Sequence, residues 1–134
     1  MSGWSVDDLH RAEVWTAVAP SYDAAIAPIM QPCAATMLDL LDLTRDAGRP
    51  KLLDVAAGTG VVAIEAARRG ADVLATDFAP GMVEVIRQRF AVEGLDARAE
   101  VMDGQDLDLD DESFALAQTD MRGPQSGDNQ KETL

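Results

Sequence analysis

Residues 51–77, KLLDVAAGTGVVAIEAARRGADVLATD, contain two short apolar runs separated by a glycine-bearing turn and a helical pattern. A short apolar run at 52–55 is typical of a buried parallel strand. A glycine-bearing turn follows at 56–60, and apolar residues at helical spacing continue from it until Gly70. A second apolar run is then closed by Asp77. A strand, a helix and a strand this close together predict a right-handed crossover with two parallel strands.

The turn and the aspartate together predict a nucleoside site. Gly58 and Gly60 allow a ligand to approach the main chain closely, because neither residue has a Cβ atom. The turn's N–H groups and the helix N-terminus face the carboxyl ends of the strands, where Asp77 also lies. An acidic side chain about 20 residues after such a turn can accept both hydroxyls of a ribose. A tight turn beside a solvated aspartate is the simpler alternative.

The glycine spacing argues against a dinucleotide. A dinucleotide site requires Gly-x-Gly-x-x-Gly, so that the pyrophosphate can lie on the helix N-terminus. Counted from Gly58, the third glycine is replaced by Ala63, and counted from Gly60, it is replaced by Glu65. A nicotinamide-dependent oxidoreductase is therefore the weaker hypothesis.

Residues 53–60, LDVAAGTG, resemble the first motif of class I S-adenosylmethionine-dependent methyltransferases. The resemblance implies that Asp54 and the glycine turn hold the methionine part of the cofactor. Ala56 stands where the family usually has its first glycine, and its methyl group narrows the space for the ligand.

Two further segments agree with this resemblance. Residues 76–82, TDFAPGM, look like the family's second motif, which implies that Asp77 holds the ribose and that Phe78 and Met82 pack near the adenine. Residues 18–23, VAPSYD, are similar to a Val-Ala-x-x-Tyr-Asp box of the ubiquinone/menaquinone-biosynthesis type. In that family the region folds over the cofactor, which implies a contact between the tyrosine, Tyr22, and the methionine end.

A fourth segment, residues 101–106 (VMDGQD), looks like the family's third motif. The resemblance implies that Asp103 accepts from the adenine amino group and that Gly104 and Gln105 help to recognise the adenine edge. The four motifs occur in order and cover about residues 11–118. None of them specifies the methyl acceptor.

The resemblance implies an α/β fold with a Rossmann-like parallel sheet in the strand order 3-2-1-4. The fold is expected to be incomplete at its C-terminal side, as in a truncated chain, because no periodic pattern of apolar residues continues after residue 118. We expect an N-terminal helical cap at 1–50, a cofactor-binding core at 51–118 and a disordered tail at 119–134. The fourth strand, around Phe114 and Leu116, would then be an open edge that favours self-association.

Local signals predict the helices and the remaining strands. We expect a first helix that begins at Ser5 and is ended by Pro20, and a second helix over 32–44. Pro80 opens a further helix whose buried face carries apolar residues at the spacing i, i+3, i+4 and i+8. This face comprises Met82, Val85, Ile86 and Phe90. The third strand is expected at 97–102, and the fourth at 113–117.

Composition excludes several classes of partner. The 134 residues carry 24 acidic side chains against 11 Lys and Arg, a net charge of −13, which repels nucleic acid and anionic lipid. One cysteine, Cys33, permits no internal disulfide, and we expect it to be a small core residue. Neither a signal sequence nor a long uncharged apolar run occurs, so a cytoplasmic protein without membrane insertion is expected.

No catalytic acid or base can be named from the sequence. His10 is the only histidine, and we expect it to be solvated on a helix face. Acidic residues at 106–112 lack the glycine and the distal glutamate of a calcium loop, so no metal site is predicted.

The function that these observations favour is S-adenosylmethionine-dependent methyl transfer to a small-molecule acceptor. A catalytically inactive fragment that binds S-adenosylmethionine is the main alternative, because the family's later strands are not recognisable in this chain.

Overall fold

The computed structural model of the chain describes residues 10–41, 49–104 and 115–118. Helices and strands alternate from the first strand to the third, as two consecutive crossover units require. The elements are α1 (Ala12–Ala25), α2 (Ala27–Leu41), β1 (Lys51–Val55), α3 (Val61–Arg68), β2 (Asp72–Asp77), α4 (Pro80–Glu93), β3 (Arg98–Val101) and β4 (Ala115–Gln118).

The strands form one parallel sheet in the order β3-β2-β1-β4. Leu53 in β1 is in register with Leu74 in β2 on one side and with Leu116 in β4 on the other. Leu74 is in turn in register with Arg98 in β3. The predicted α/β class, with a parallel sheet and flanking helices, is confirmed.

The main core lies between the sheet and the helices α3 and α4. Leu52, Val73 and Ala75 share one face of the sheet, because alternate residues of a strand point to the same side. Burying a side chain such as Leu52, which is 0% exposed, contributes about 1.5–3 kcal/mol. On the helix side, this core contains Val62, Ala63, Ile64 and Ala66 from α3, Val83, Ile86 and Phe90 from α4, and Ala34 and Leu38 from α2.

The sequence correctly predicts which face of α4 is buried. Met82, Ile86 and Phe90 are each less than one-twentieth exposed, and Val85 is half-buried. The strand bounds shift by one or two residues from their predicted positions. The third strand is Arg98–Val101 and the fourth is Ala115–Gln118.

The prediction that Pro20 ends the first helix is wrong. Helix α1 runs from Ala12 to Ala25 and contains Pro20 in its interior. Proline there removes the N–H that would bond to the Thr16 carbonyl, which ordinarily costs about 3 kcal/mol. The helix nevertheless continues, because Ala19 and the half-buried Tyr22 on either side of the proline pack against α4 and the loop before it.

The second helix also differs from its prediction. Helix α2 begins at Ala27 and carries Pro32 inside, so it starts before the predicted residue 32. A single residue, Ile26, separates α2 from α1, and the two helices meet at a bend of 78°. The two prolines therefore lie within helices.

Cys33 is exposed, so its predicted place in the core is wrong. Its neighbour Ala34 is the residue of this turn that enters the core, at 2% exposure. Helical spacing places Leu38 on the same side as Ala34, whereas Leu40 points outward and is 82% exposed. The apolar residues of this helix therefore do not all face the core.

Arg49 connects the segments that precede three strands of the sheet. Arg49 donates to the carbonyl oxygens of Gly70, Ala71 and Asp96, and also to the Asp96 carboxylate at 3.1 Å. These bonds hold the segments before β1, β2 and β3 together at the end of the sheet opposite the glycine turn.

Within the described residues, no single helix is long and apolar enough to cross a membrane. Among the described helices, α1 and α2 are long and apolar enough only when taken together, and the 78° bend separates them.

Some predictions concern residues outside the described ranges. They are the helix start at Ser5, the adenine contact at Gln105, the acidic loop at 106–112 and the tail at 119–134. The division into a cap, a core and a tail stays a prediction.

Candidate functional site

The turn between β1 and α3 has a left-handed backbone at alternate positions. Ala56, Gly58 and Gly60 have φ angles of 56°, 61° and 84°. The Ala57 N–H donates to the Thr76 carbonyl at 2.9 Å, so the pairing of β1 with β2 continues into the turn. Such alternation is typical of turns that direct several backbone N–H groups toward one ligand.

Asp77 joins this glycine turn to the loop that follows β2. Its Oδ2 accepts a hydrogen bond from the Gly58 N–H at 3.0 Å, and its Oδ1 accepts one from the Ala79 N–H at 3.0 Å. The residue is only 5% exposed. These two hydrogen bonds hold the carboxylate at the end of β2, beside the glycine turn. Its role as a ribose ligand stays a prediction that this geometry permits.

Tyr22 from α1 lies over the glycine turn. A Cβ atom built on Gly58 would be 3.7 Å from Tyr22 Cε1 and 4.0 Å from Tyr22 Oη. Trp15 packs against Tyr22 edge to face, with the ring centroids 6.3 Å apart. Burial and, second, the negative charge of Asp77 raise the pKa of the Tyr22 phenol above its ordinary value. The structure thus brings Tyr22, Gly58 and Asp77 together.

Gly60 is explained by helix packing. A Cβ atom at this position would lie 2.9 Å from Ile86 Cγ1, which is closer than real Cβ contacts. The absence of a side chain at Gly60 therefore lets α4 pack against the start of α3. Its predicted role beside the cofactor is a separate property, which stays a prediction.

Two polar residues next to the turn, Asp54 and Thr59, are buried. Asp54 is 0% exposed and lies on the same face of β1 as Leu52, the face that packs against the helices. Its side chain is therefore not accessible in this conformation, and its predicted contact with the methionine part of a cofactor stays a prediction.

Thr59 is a residue that the sequence reasoning missed. It is 1% exposed, and its Oγ1 has no hydrogen-bond partner in the part of the chain that the structure describes. A buried hydroxyl without a partner costs about 1–3 kcal/mol. The signal in the sequence was a hydroxyl residue between two glycines, immediately before a helix. Thr59 therefore joins the residues of the candidate site.

The loop after β3 reaches the same edge of the sheet. The Met102 N–H donates to the Asp77 carbonyl at 3.0 Å. A Cβ atom on Gly104 would lie 3.1 Å from Val55 Cγ1, so the loop passes close to the end of β1. Asp103 lies between them and is exposed. The structure therefore brings Asp103 and Gly104 to the edge where the glycine turn and Asp77 lie.

Phe78 and Met82 lie in a second apolar cluster between α1 and the start of α4. Met82 is 2% exposed and packs with Ala19 and Ala79, and Phe78 is half-buried at the margin of this cluster. Their predicted packing against an adenine stays a prediction, and Phe78 is the more accessible of the two.

The described residues contain no group of three or more His, Cys, Asp or Glu side chains that could hold a metal ion. His10 is exposed at the start of the described chain. The described residues therefore indicate neither a metal site nor a catalytic acid or base.

Comparison with known proteins agrees with this geometry. Residues 52–123, more than half of the chain, match the family described as a methyltransferase domain. A demethylmenaquinone methyltransferase of Clavibacter sepedonicus is 47% identical over 66 residues, which are 48% of this chain and 26% of that protein. The biotin biosynthesis bifunctional protein BioHC of Cellvibrio japonicus is 36% identical over 85 residues, 63% of this chain and 16% of that protein.

A solved structure shares the fold. The YcgJ protein of Bacillus subtilis superposes with a TM-score of 0.56 at 22% identity, over 63% of this chain and 36% of that protein. The chain thus spans about a quarter or less of the two curated relatives described above and about a third of the structural neighbour.

Proposed function

Because the chain belongs to the methyltransferase domain family, we propose that it binds S-adenosylmethionine and promotes transfer of its methyl group to a small molecule. The observation that carries the proposal is the hydrogen bond of 3.0 Å between the Gly58 N–H and Asp77 Oδ2. It joins the glycine turn to a carboxylate at the carboxyl ends of β1 and β2, where α/β folds of this type bind nucleotides.

Each part of the cofactor has proposed partners at this edge. Asp77 would accept from the ribose hydroxyls, because its carboxylate lies at the carboxyl end of β2 beside the glycine turn. Asp103, Gly104 and Gln105 would recognise the adenine edge, with Phe78 and Met82 packed beside it. The methionine portion would be held by Ala56, Gly58 and Gly60, with Tyr22 at its end. Asp54 would reach it by turning its buried side chain out of the core.

The chemistry of this proposal makes few demands on the protein. S-adenosylmethionine supplies a sulfonium methyl group, which an acceptor oxygen, nitrogen or carbon attacks in line. The chain's own residues position the two molecules and exclude water from them. The absence of a named acid or base among the described residues is therefore compatible with the proposal.

A small-molecule acceptor is supported by two observations. The relative that is 47% identical over its matched residues is named for methyl transfer to demethylmenaquinone. The net charge of −13 also disfavours an acceptor carried on nucleic acid. A cytoplasmic location is part of the same proposal, and the single cysteine supports it.

Self-association is a further part of the proposal. Among the described strands, β3 and β4 each have a neighbour on one side only. A strand with an unpaired edge is a template for pairing with another chain. Light scattering at increasing protein concentration measures this directly.

Calorimetric titration with S-adenosylhomocysteine tests the cofactor, and methyl transfer from radiolabelled S-adenosylmethionine to a short-chain demethylmenaquinone tests the reaction. We expect saturable binding of S-adenosylhomocysteine and no binding of NADH. Binding without transfer to any acceptor would favour an inactive cofactor-binding fragment. Binding of NADH in preference to S-adenosylhomocysteine would overturn the proposal.

A further inference from the structure

The phenol ring of Tyr22 occupies the open side of Gly58. Tyr22 Cε1 is 3.7 Å from the position that a Cβ atom on Gly58 would take. Carbon atoms in favourable contact are about 3.5–4.0 Å apart, so a single carbon atom on Gly58 would already touch the ring. A cofactor that approaches the main chain at Gly58 needs the same space.

Contacts of α1 hold the ring in this position from both sides along the helix. Before Tyr22, the Gly81 N–H donates to Thr16 Oγ1 at 3.0 Å, and a Cβ atom on Gly81 would lie 2.7 Å from Thr16 Cα. After Tyr22, Asp23 Oδ2 accepts from Arg89 Nη2 at 3.0 Å. Both partners belong to α4, so α1 is fixed to α4 by one contact on each side of the tyrosine.

The surroundings of the ring favour the covered state without a ligand. Trp15 packs against Tyr22 edge to face, and the ring belongs to the apolar cluster formed by α1 and the start of α4. Moving the ring away from Gly58 returns part of this apolar surface to water, which is unfavourable unless a ligand covers it again.

We propose that Tyr22 closes the cofactor site in the unliganded chain and must leave Gly58 before S-adenosylmethionine binds. The inference rests on the proposed function and adds a conformational step to it. The apparent affinity and the rate of association are then reduced by the fraction of chains in which the site is open.

The first test measures the association rate constant of S-adenosylhomocysteine by stopped-flow fluorescence. Trp4→Phe leaves Trp15, the neighbour of Tyr22, as the reporter. In this background we expect Tyr22→Ala to associate about tenfold faster, as for a site open in about a tenth of the chains. Tyr22→Leu, which keeps an apolar side chain, should give an intermediate rate. Tyr22→Phe, which keeps the ring, should stay within about twofold of the parent.

Val18→Ala is the matched control, because Val18 lies on the same helix and in the same cluster but does not cover Gly58. It should leave the association rate constant unchanged. An equal acceleration in Val18→Ala would assign the effect to loosening of α1 and would overturn the role of the ring.

A second test needs no ligand. The Gly58 N–H donates to Asp77 beneath the ring, so its hydrogen exchange reports how well the turn is covered. We expect the Gly58 N–H to exchange about tenfold faster in Tyr22→Ala than in the parent chain. In Val18→Ala its exchange rate should equal that of the parent chain. Unchanged exchange together with an unchanged association rate would overturn this inference alone. Failure of every variant to bind S-adenosylhomocysteine would overturn the proposed function as well.

Discussion

Ala56 has a backbone conformation that suits glycine. Its φ of 56° lies in the left-handed region, and it is the only residue other than glycine with a positive φ among the described residues. A side chain in this region costs roughly 1–2 kcal/mol, because its Cβ crowds the backbone. The sequence shows that Ala56 stands where the resembling family usually has a glycine. The backbone strain at Ala56 appears only in the structure.

Replacing Ala56 by glycine should therefore stabilise the fold. We expect Ala56→Gly to raise the free energy of unfolding by about 0.5–1 kcal/mol, the relief of strain minus the larger chain entropy of glycine. Urea denaturation measures the change as a higher midpoint with an unchanged m-value. Ala57→Gly is the control, since Ala57 is buried and has no positive φ, and it should destabilise. A lower midpoint for Ala56→Gly would contradict the account of strain.

We expect Asp77 to contribute both to the stability of the fold and to binding of the cofactor. Asp77→Asn leaves one oxygen and one NH₂ group where two backbone N–H donors point. We expect it to lower the free energy of unfolding by about 1–3 kcal/mol. Binding of S-adenosylhomocysteine to the folded variant should weaken by more than about 1 kcal/mol.

Asp72→Asn is the matched control for Asp77→Asn. Asp72 lies at the other end of β2, away from the turn, so both stability and affinity should change little. Calorimetry below the unfolding temperature separates the two effects of Asp77→Asn. If its affinity equals that of the parent chain, Asp77 is a residue of the fold and not a ligand of the ribose.

At the scale of an element, the predicted helix ends failed where local chemistry was overruled by packing. Pro20 ordinarily ends a helix, but α1 continues because residues on both sides of it pack on α4 and the loop before it. Cys33 follows the general preference of cysteine for the core, but helical phase turns it outward and buries Ala34. Single residues do not reveal which side of a helix its neighbours will cover.

The contact between α3 and α4 predicts a dependence of stability on pH. Arg68 donates through Nε and Nη2 to the two carboxylate oxygens of Glu93, at 2.7 and 2.9 Å. The hydrogen bond from Arg68 lowers the pKa of Glu93 below its ordinary value. A lowered pKa in the folded state stabilises the fold above the unfolded-state pKa, and this contribution is lost as the pH falls through the folded-state value.

Glu93→Gln should therefore lower the free energy of unfolding by about 0.5 kcal/mol at pH 7, since the pair is partly exposed. At pH 3, below the unfolded-state pKa of about 4.3, the difference from the parent chain should shrink. Urea denaturation at both values measures it. Glu84→Gln, an exposed glutamate on the same helix, should show neither effect. A difference that grows toward pH 3 would contradict the assignment.

At the scale of the whole molecule, self-repulsion opposes folding. The net charge of −13 falls on a chain of 134 residues, and salt screens charges that lie further apart than about 10 Å. Raising NaCl from 20 to 200 mM at pH 7 should therefore raise the Tm by about 2–5 °C, the shift that about 1 kcal/mol produces in a chain of this size.

Calorimetry or circular dichroism measures this shift. Sucrose at equal osmolality is the control, because it acts by exclusion from the surface and leaves charges unscreened. A Tm that falls with NaCl would mean that attractive pairs such as Arg68–Glu93 outweigh the repulsion.

The fold class and the proximity of the glycine turn to Asp77 could be predicted from the sequence, because both depend on local patterns. The run from β1 to Asp77 fixes a crossover, and its geometry brings Gly58 to the aspartate. The resemblance implied that Tyr22 lies near the methionine end, but its direct contact with Gly58 and the burial of Thr59 could not be predicted. They depend on how α1 docks and on which atoms fill the space around the turn, which are properties of the packed molecule.

Asp77 accepts hydrogen bonds from two backbone N–H groups. These bonds affect what an aspartate shared with related proteins says about their common activity. Selection for a folded chain is enough to retain this aspartate, because losing it would leave two backbone donors unsatisfied. A descendant that had lost the reaction would keep the same signature. The motif at this position therefore records ancestry and architecture as well as chemistry.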